Sequence, residues 1–238
     1  MVLNSAQFIV QHKDDDVHTL ALKKMPEGVD AKWALQQIEG YQLAKKKLPT
    51  WATAFESSTC GVESEGGIIF SPRISMEQCS SELTARYKAQ LSPIVNCKSS
   101  NCKFLDLTGG FGVDFSYMAQ GFRHAVYVEQ NEELCLLAEH NFGSALPSGK
   151  SGNIEVHHDT AEHFLQTLTH ADLIYIDPAR RSKSGSKVFR LEDCEPNLLQ
   201  LLPLMREKAS AILMKLSPML DIAAAVRLLA QEECHLQV

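Results

Sequence analysis

The sequence predicts a doubly wound α/β fold, in which helices cover both faces of a mostly parallel sheet and a mainly helical accessory region precedes it. Three observations carry that expectation. From about residue 100 onward, short apolar and β-branched runs alternate with longer segments whose apolar residues recur every three or four positions. One such run, Phe104-Leu105-Asp106-Leu107, leads straight into the glycine-rich turn Thr108-Gly109-Gly110-Phe111-Gly112 and then into a helical pattern. The first hundred residues carry helical patterns with no alternating strands. The accessory region is therefore assigned to residues 1–95 and the core to residues 96–238.

In the accessory region, Val29 to Lys47 reads as an amphipathic helix that stops before Pro49, because the position preceding a proline is pushed out of helical geometry. Lys45-Lys46-Lys47 then forms its solvated end. A hairpin is expected over Thr59 to Phe70, turning near Glu65-Gly66-Gly67. Ser75-Met76-Glu77-Gln78 has the spacing of a capping box, so one long helix is expected from Met76 to about Leu91. Core strands are expected at Lys103–Thr108, Ala125–Glu129, Ile154–His158, Asp172–Asp177, Ala211–Leu216 and His235–Val238, with helices starting near Asp114, Asn131, Ala161, Glu192 and Leu220. The chain stops inside the sixth of these strands. Natural sheets avoid such an unpaired edge, so the native protein is expected to continue beyond Val238.

Composition narrows the function. With 45 % hydrophobic and 22 % charged residues, the chain fits a soluble globular protein and not a disordered tail. No apolar stretch is long enough to span a membrane, and the start, MVLNSAQFIVQHKDDD, lacks the basic and apolar blocks of a signal peptide, which makes the cytoplasm the default compartment. The seven cysteines form no CxxC pair, so reduced thiols are expected and no metal site is. A net charge of -6 argues against a wholly basic nucleic-acid-binding surface while leaving room for a local basic patch. Oligomeric state is not legible.

The glycine turn invites a nucleotide-like ligand, because glycine lets the ligand approach the backbone and the first helical N–H groups favour its electronegative parts. A dinucleotide fingerprint needs a third glycine three residues after Gly112, where the sequence has Phe115. Asp106 also sets a carboxylate at the pocket lip, which would repel a pyrophosphate. It suits instead the cationic amino group of a methionine moiety, with an attraction of about 4 kcal/mol as an upper guide. Glu129 closes the second strand, where a carboxylate accepts both ribose hydroxyls. Gln130 beside it, and Asp159, Thr160 and Ala161 after the third strand, complete a set for the adenine end. Together with Asp106, Thr108, Gly109, Gly110 and Gly112 they point to S-adenosylmethionine on a Rossmann-like core. The bland alternative is a tight strand-to-helix connection capped by Asp106.

DLTGGFG, VYVEQN, HHDTAEHF and YIDPARR, in that order, resemble motifs of class I S-adenosylmethionine-dependent methyltransferases, and the likeness covers residues 75 to 235. More closely, SMEQCSSELTARYKA before the turn and DPARR after it look like a bacterial methyltransferase family that carries a C-terminal THUMP-like domain, absent here. THUMP domains bind RNA, so the resemblance implies an RNA substrate. It also implies that Gln78, Thr84 and Lys88 reach the methionine carboxylate or cover the pocket; the alternative is a helix with its polar face in solvent. The family's first motif often has glycine where Thr108 stands.

At the reactive end, Asp177-Pro178-Ala179-Arg180 departs from the D-P-P-Y of exocyclic-amine methyltransferases. Asp177 is the candidate for orienting the acceptor, with Pro178, and Arg180 can stack on a base or grip a phosphate. The alternative role of Asp177 is to cap the strand end. DPAR also resembles carbon-5 uracil methyltransferases, yet no cysteine lies between Ser210 and Leu220 to serve as their nucleophile. Lys215 and Ser217 are candidate pocket-lining groups, or else caps. Arg180, Arg181, Lys183, Lys187 and Arg190 form an acid-free run that reads either as a phosphate-contacting rim or as a solvated loop. The expected function is an RNA methyltransferase; a small-molecule or protein methyltransferase with a helical lid, and a cofactor-binding module without catalysis, are the alternatives.

Overall fold

A computed structural model describes residues 4–59, 67–91, 101–143, 153–180, 191, 194–217 and 222–229. The core strands are β1 (Lys103–Asp106), β2 (His124–Glu129), β3 (Asn153–His158), β4 (Ala171–Ile176) and, after the two short strands β5 (Ala179–Arg180) and β6 (Cys194–Glu195), β7 (Ala209–Met214). Five of them form one parallel sheet in the order β3-β2-β1-β4-β7. The order reverses between β1 and β4, which opens a crevice beyond their carboxyl ends. The expected doubly wound α/β core is present.

Period-two alternation sorts the side chains. Phe104, Tyr127, Leu173 and Tyr175 face one core layer, and Leu105, Val126, Val128, Ile174 and Ile176 the other. The second layer is closed by α9 (Ala161–Thr167), α10 (Leu198–Lys208) and α11 (Ile222–Leu229). The first is closed by α7 (Val113–Met118) and α8 (Glu132–Gly143), together with the accessory helices α1 (Ser5–His12), α2 (Val17–Ala21), α3 (Ala31–Lys47), α4 (Pro49–Thr59), α5 (Arg73–Gln78) and α6 (Glu82–Ala89). Trp51, Phe55 and Phe70 thus share one apolar cluster with Phe104 and Phe115.

The helix expected to start at Val29 begins at Ala31, where Asp30 accepts from the Trp33 N–H at 3.0 Å. Its basic end is less free than expected. Lys47 donates to the carbonyls of Met76 (2.9 Å) and Glu77 (2.7 Å), which ties the end of α5 to α3.

Several expectations are corrected. The long helix from Met76 to Leu91 is two helices, α5 and α6, broken at Cys79-Ser80-Ser81. Ser75 lies inside α5, and the effective cap is Ser81, whose hydroxyl accepts from the Thr84 N–H at 3.2 Å. Serine side chains compete for backbone groups, so two in a row favour an interruption. The hairpin over Thr59–Phe70 is also absent from the described residues: Thr59 ends α4, Gly67–Phe70 carries no strand, and 60–66 lie outside the description. Side-chain amides replace the missing strand partner. Gln37 exchanges two hydrogen bonds with Phe70 (2.8 and 3.0 Å), and Asn141 exchanges two with Ile69 (both 2.9 Å).

Glu192, near which a helix is expected to start, lies outside the described residues. The chain then forms β6, and α10 begins at Leu198 under the Asn197 cap. Cys102 is disulfide-bonded, against the expectation of reduced thiols, while Cys79, Cys135 and Cys194 are free. Pairing depends on spatial proximity, which spacing rules for CxxC motifs do not report. The expected strand His235–Val238 lies outside the described residues.

Candidate functional site

The glycine-rich turn between β1 and α7 is stitched to β2. Gly109 donates to the Val128 carbonyl at 2.9 Å, Gly110 donates to Glu129 Oε2 at 2.8 Å, and the Tyr127 hydroxyl donates to the Gly110 carbonyl at 2.5 Å. Two of its glycines are required for different reasons. A Cβ on Gly109 would sit 2.1 Å from the Tyr127 ring, so packing from within excludes any side chain there. Gly110 has φ +57° with only the Thr108 carbonyl near, at 3.9 Å, so the requirement there is left-handed backbone, with open space alongside. Phe111 packs on Trp51 of α4, with ring centroids 4.9 Å apart.

Beside this turn, at the crevice between β1 and β4, lies a cavity of about 820 Å³, within the range of small-molecule sites. It gathers most of the expected residues: Asp106, Thr108, Gly109, Gly110 and Gly112 from β1 and the turn, Glu129 and Gln130 from the end of β2, Asp159 and Ala161 around the start of α9, and Asp177 and Pro178 after β4. Gln78, Lys215 and Ser217 also line it. Three expected residues are not brought to its wall. Thr160 caps α9 by accepting from the His163 N–H at 3.2 Å, Thr84 is exposed in the first turn of α6, and Lys88 lies buried behind the wall. The side chain of Arg180, and Arg181, Lys183 and Lys187 altogether, lie outside the described residues.

Asp106 is 1 % exposed. Its Oδ1 accepts from the Thr108 N–H at 3.0 Å, and its Oδ2 is buried with no hydrogen-bond partner. Burial pushes its carboxyl well above the usual range, and the Thr108 bond only partly opposes that. Glu129, across the turn, accepts one backbone N–H at each oxygen, from Gly110 and from Asn131 (2.9 Å). Asp159 is held by the Thr160 N–H and by His163 Nδ1, both at 2.7 Å.

Asp177 sits just beyond β4. Its N–H donates to Thr108 Oγ1 at 2.7 Å, and its Oδ2 accepts from Lys215 Nζ at 2.5 Å. The hydroxyl at position 108 therefore ties the ends of β1 and β4 together, a role no glycine could fill. Burial raises the Asp177 carboxyl, while Lys215 pulls it back. The flexible Lys215 is thereby fixed at the cavity wall, a geometry that strand-end capping alone would not require.

Sequence reasoning missed a buried network on the accessory side. Asp114 Oδ2 accepts from Ser80 Oγ (2.7 Å), from the Tyr175 hydroxyl (2.8 Å) and from Lys88 Nζ, and Lys88 also donates to Ser80 (2.9 Å) and Tyr175 (3.1 Å). Burial lowers the Lys88 ammonium against the pull of Asp114. Ser80, Asp114 and Tyr175 line the cavity. The signal was present in Val113-Asp114-Phe115-Ser116-Tyr117-Met118, a mostly apolar run carrying one acid, since an acid in such a run is buried and must be paired.

Comparison with solved structures adds an independent view. The chain resembles a candidate methyltransferase of Porphyromonas gingivalis W83, with a TM-score of 0.70 and 29 % identity over 95 % of this chain and 51 % of that one. It therefore spans about half the length of that protein. Similarity extends to a SAM-dependent methyltransferase of Agrobacterium tumefaciens (TM-score 0.47, 18 % identity, 68 % of this chain and 51 % of that one). A candidate class I S-adenosylmethionine-dependent methyltransferase of Listeria monocytogenes gives a TM-score of 0.45 and 15 % identity over 86 % of this chain and 70 % of that one. No protein-family model and no curated protein matches the chain. The Rossmann-like fold is thus shared with a methyltransferase-like structure. Among the described residues no helix is long and apolar enough to cross a membrane, and no cluster of His, Cys, Asp and Glu could hold a metal ion.

Proposed function

We propose that the chain is an S-adenosylmethionine-dependent methyltransferase acting on RNA. The observation that carries the cofactor reading is Asp106, a buried carboxylate at the cavity with one unpartnered oxygen. Such a group is costly unless a donor meets it, and a ligand ammonium is both a donor and a countercharge. Gly110 leaves open space against which a ligand can lie. Glu129 spends one lone pair of each oxygen on backbone N–H groups and keeps others for the two ribose hydroxyls. Gln130, Asp159 and Ala161 would then face the adenine end. The likeness to the Porphyromonas gingivalis structure supports a methyltransferase reading for the half of that protein the chain spans.

When bound, S-adenosylmethionine supplies a methyl group open to in-line displacement. The chain's own contribution is positioning. Asp177, held by Thr108 and Lys215, presents its carboxylate to the acceptor's hydrogen, and burial favours its taking the proton that a methylated amine sheds. Pro178 lines the cavity beside it.

RNA is favoured by the basic run that follows Arg180. Ala179 of β5 lines the cavity, and the sequence runs on from it into Arg180, Arg181, Lys183 and Lys187, side chains suited to phosphate contact. A second reading, a small-molecule or protein acceptor, is favoured by the described wall itself, which includes Glu77, Glu162 and Glu195 but only one lysine, Lys215. Incubation with radiolabelled S-adenosylmethionine and separate pools of cellular RNA, protein and metabolites decides between them: label in RNA is expected, and label in another pool selects the second reading. Calorimetric titration tests the cofactor directly. Glu129→Ala should weaken binding by roughly 2–4 kcal/mol, and unchanged affinity would remove Glu129 from the site.

A further inference from the structure

Asp114 is arranged asymmetrically. All three of its donors, from Ser80, Tyr175 and Lys88, converge on Oδ2, while Oδ1 is buried without a partner in a residue 9 % exposed. Asp106 Oδ2 is in the same condition. Asp106 pairs in register with Tyr175, whose hydroxyl reaches Asp114, and both acids line the cavity beyond the carboxyl ends of β1 and β4.

The charges there do not cancel. Lys88 compensates Asp114 and Lys215 compensates Asp177, whereas Asp106 has no cation beside it among the described residues. The Asp106 carboxyl remains without an ion pair and two acceptor oxygens without a donor, and an alkylammonium group offers one positive charge and three N–H donors.

We infer that Asp114 is a second binding residue for the ligand's amino group, so that Asp106 and Asp114 clasp the ammonium of its amino-acid end between them. This rests on the S-adenosylmethionine reading above and adds a residue to it. Ser80 and Lys88 from the accessory helices are positioning residues: by saturating Oδ2 and neutralising the carboxylate, they leave Oδ1 for the ligand. A polar face turned to solvent, or a direct reach to the methionine carboxylate, is not what Lys88 does in this arrangement.

The test titrates the full chain, unaltered and as Asp114→Asn, with S-adenosylhomocysteine, which carries the amino group, and with 5′-methylthioadenosine, which lacks the amino-acid end. The variant should bind S-adenosylhomocysteine roughly tenfold to a hundredfold more weakly, the scale of one charge-assisted hydrogen bond, and 5′-methylthioadenosine unchanged. Equal weakening of both ligands makes Asp114 structural and overturns the proposal, as does unchanged binding of both. Since losing the network can cost the variant its fold, the unaltered protein supplies a second measurement. Deaminated S-adenosylhomocysteine should bind at least about tenfold more weakly than the parent ligand. Equal affinity overturns the clasp while leaving the cofactor reading intact, whereas failure to bind any of these nucleosides overturns both.

Discussion

Asp106 joins two properties that oppose each other in the free protein: a carboxylate needs solvation or a partner, and this one has a single backbone donor in a fully buried position. The consequence for stability has a definite sign. An acid whose folded value is raised binds more protons folded than unfolded, so its favourable contribution is complete below the ordinary value of 3.8 and is lost as pH rises through the folded value. Asp106→Asn removes that loss. In urea denaturation without ligand, the variant should therefore gain on the unaltered protein as pH rises above 3.8, by up to about 1.4 kcal/mol per pH unit across that window. A stability difference flat with pH would show that Asp106 does not titrate there. Depressed groups such as Glu82, where hydrogen bonds from Thr50 and Arg86 outweigh burial, act in the opposite sense in both proteins and cancel in the comparison. The position of Asp106 was legible, because an acid closing an apolar strand before a glycine turn has few places to go. Its missing partner was not, since burial depends on packing against other elements, among them Tyr175 of β4.

Elements show where local pattern wins and where it loses. The parallel strands run close to their expected limits because buried strands leave a plain record of β-branched and apolar residues. The segment Gly67–Phe70 has the same composition and forms no strand, because Gln37 and Asn141 meet its backbone first and Phe70 seats against Gly40, where a Cβ would approach to 2.3 Å. Sequence reading has no access to a side-chain amide 33 residues away. Gln37→Leu tests the substitution of amide for strand: Gln36 still donates to the Phe70 carbonyl at 2.9 Å, so the Phe70 N–H alone is orphaned. Chemical denaturation should show a loss of about 1–3 kcal/mol, and no loss would mean that water reaches the freed group. The break between α5 and α6 has a similar origin. The capping-box spacing at Ser75 was real but lay inside a helix, and the choice between Ser75 and Ser81 was made by Lys47 holding the end of α5 and by Ser80 turning inward to Asp114.

Across the whole molecule, the accessory helices act as one wall of the core. Trp51 is fully buried against Phe111, the one large side chain in the glycine-rich turn, so the turn's outer side is shaped by α4. Trp51→Ala should cost about 3–5 kcal/mol of stability. It should also weaken S-adenosylmethionine binding in calorimetry, whereas Leu202→Ala, in the opposite core layer, should lower stability without changing affinity. Equal binding by both variants would mean that α4 only covers the sheet. By itself, the sequence determined the strand order along the chain, the glycine turn and the row of acids at the strand ends, because these follow from local periodicity and from short-range backbone demands. Only the tertiary structure decided that Thr108 bridges β1 and β4, that Lys215 holds Asp177, and that Asp114, Ser80, Lys88 and Tyr175 form one network. Apart from the Ser80–Lys88 contact, those pairings join residues 26 to 87 positions apart, and their strength comes from shared burial, which no single segment carries.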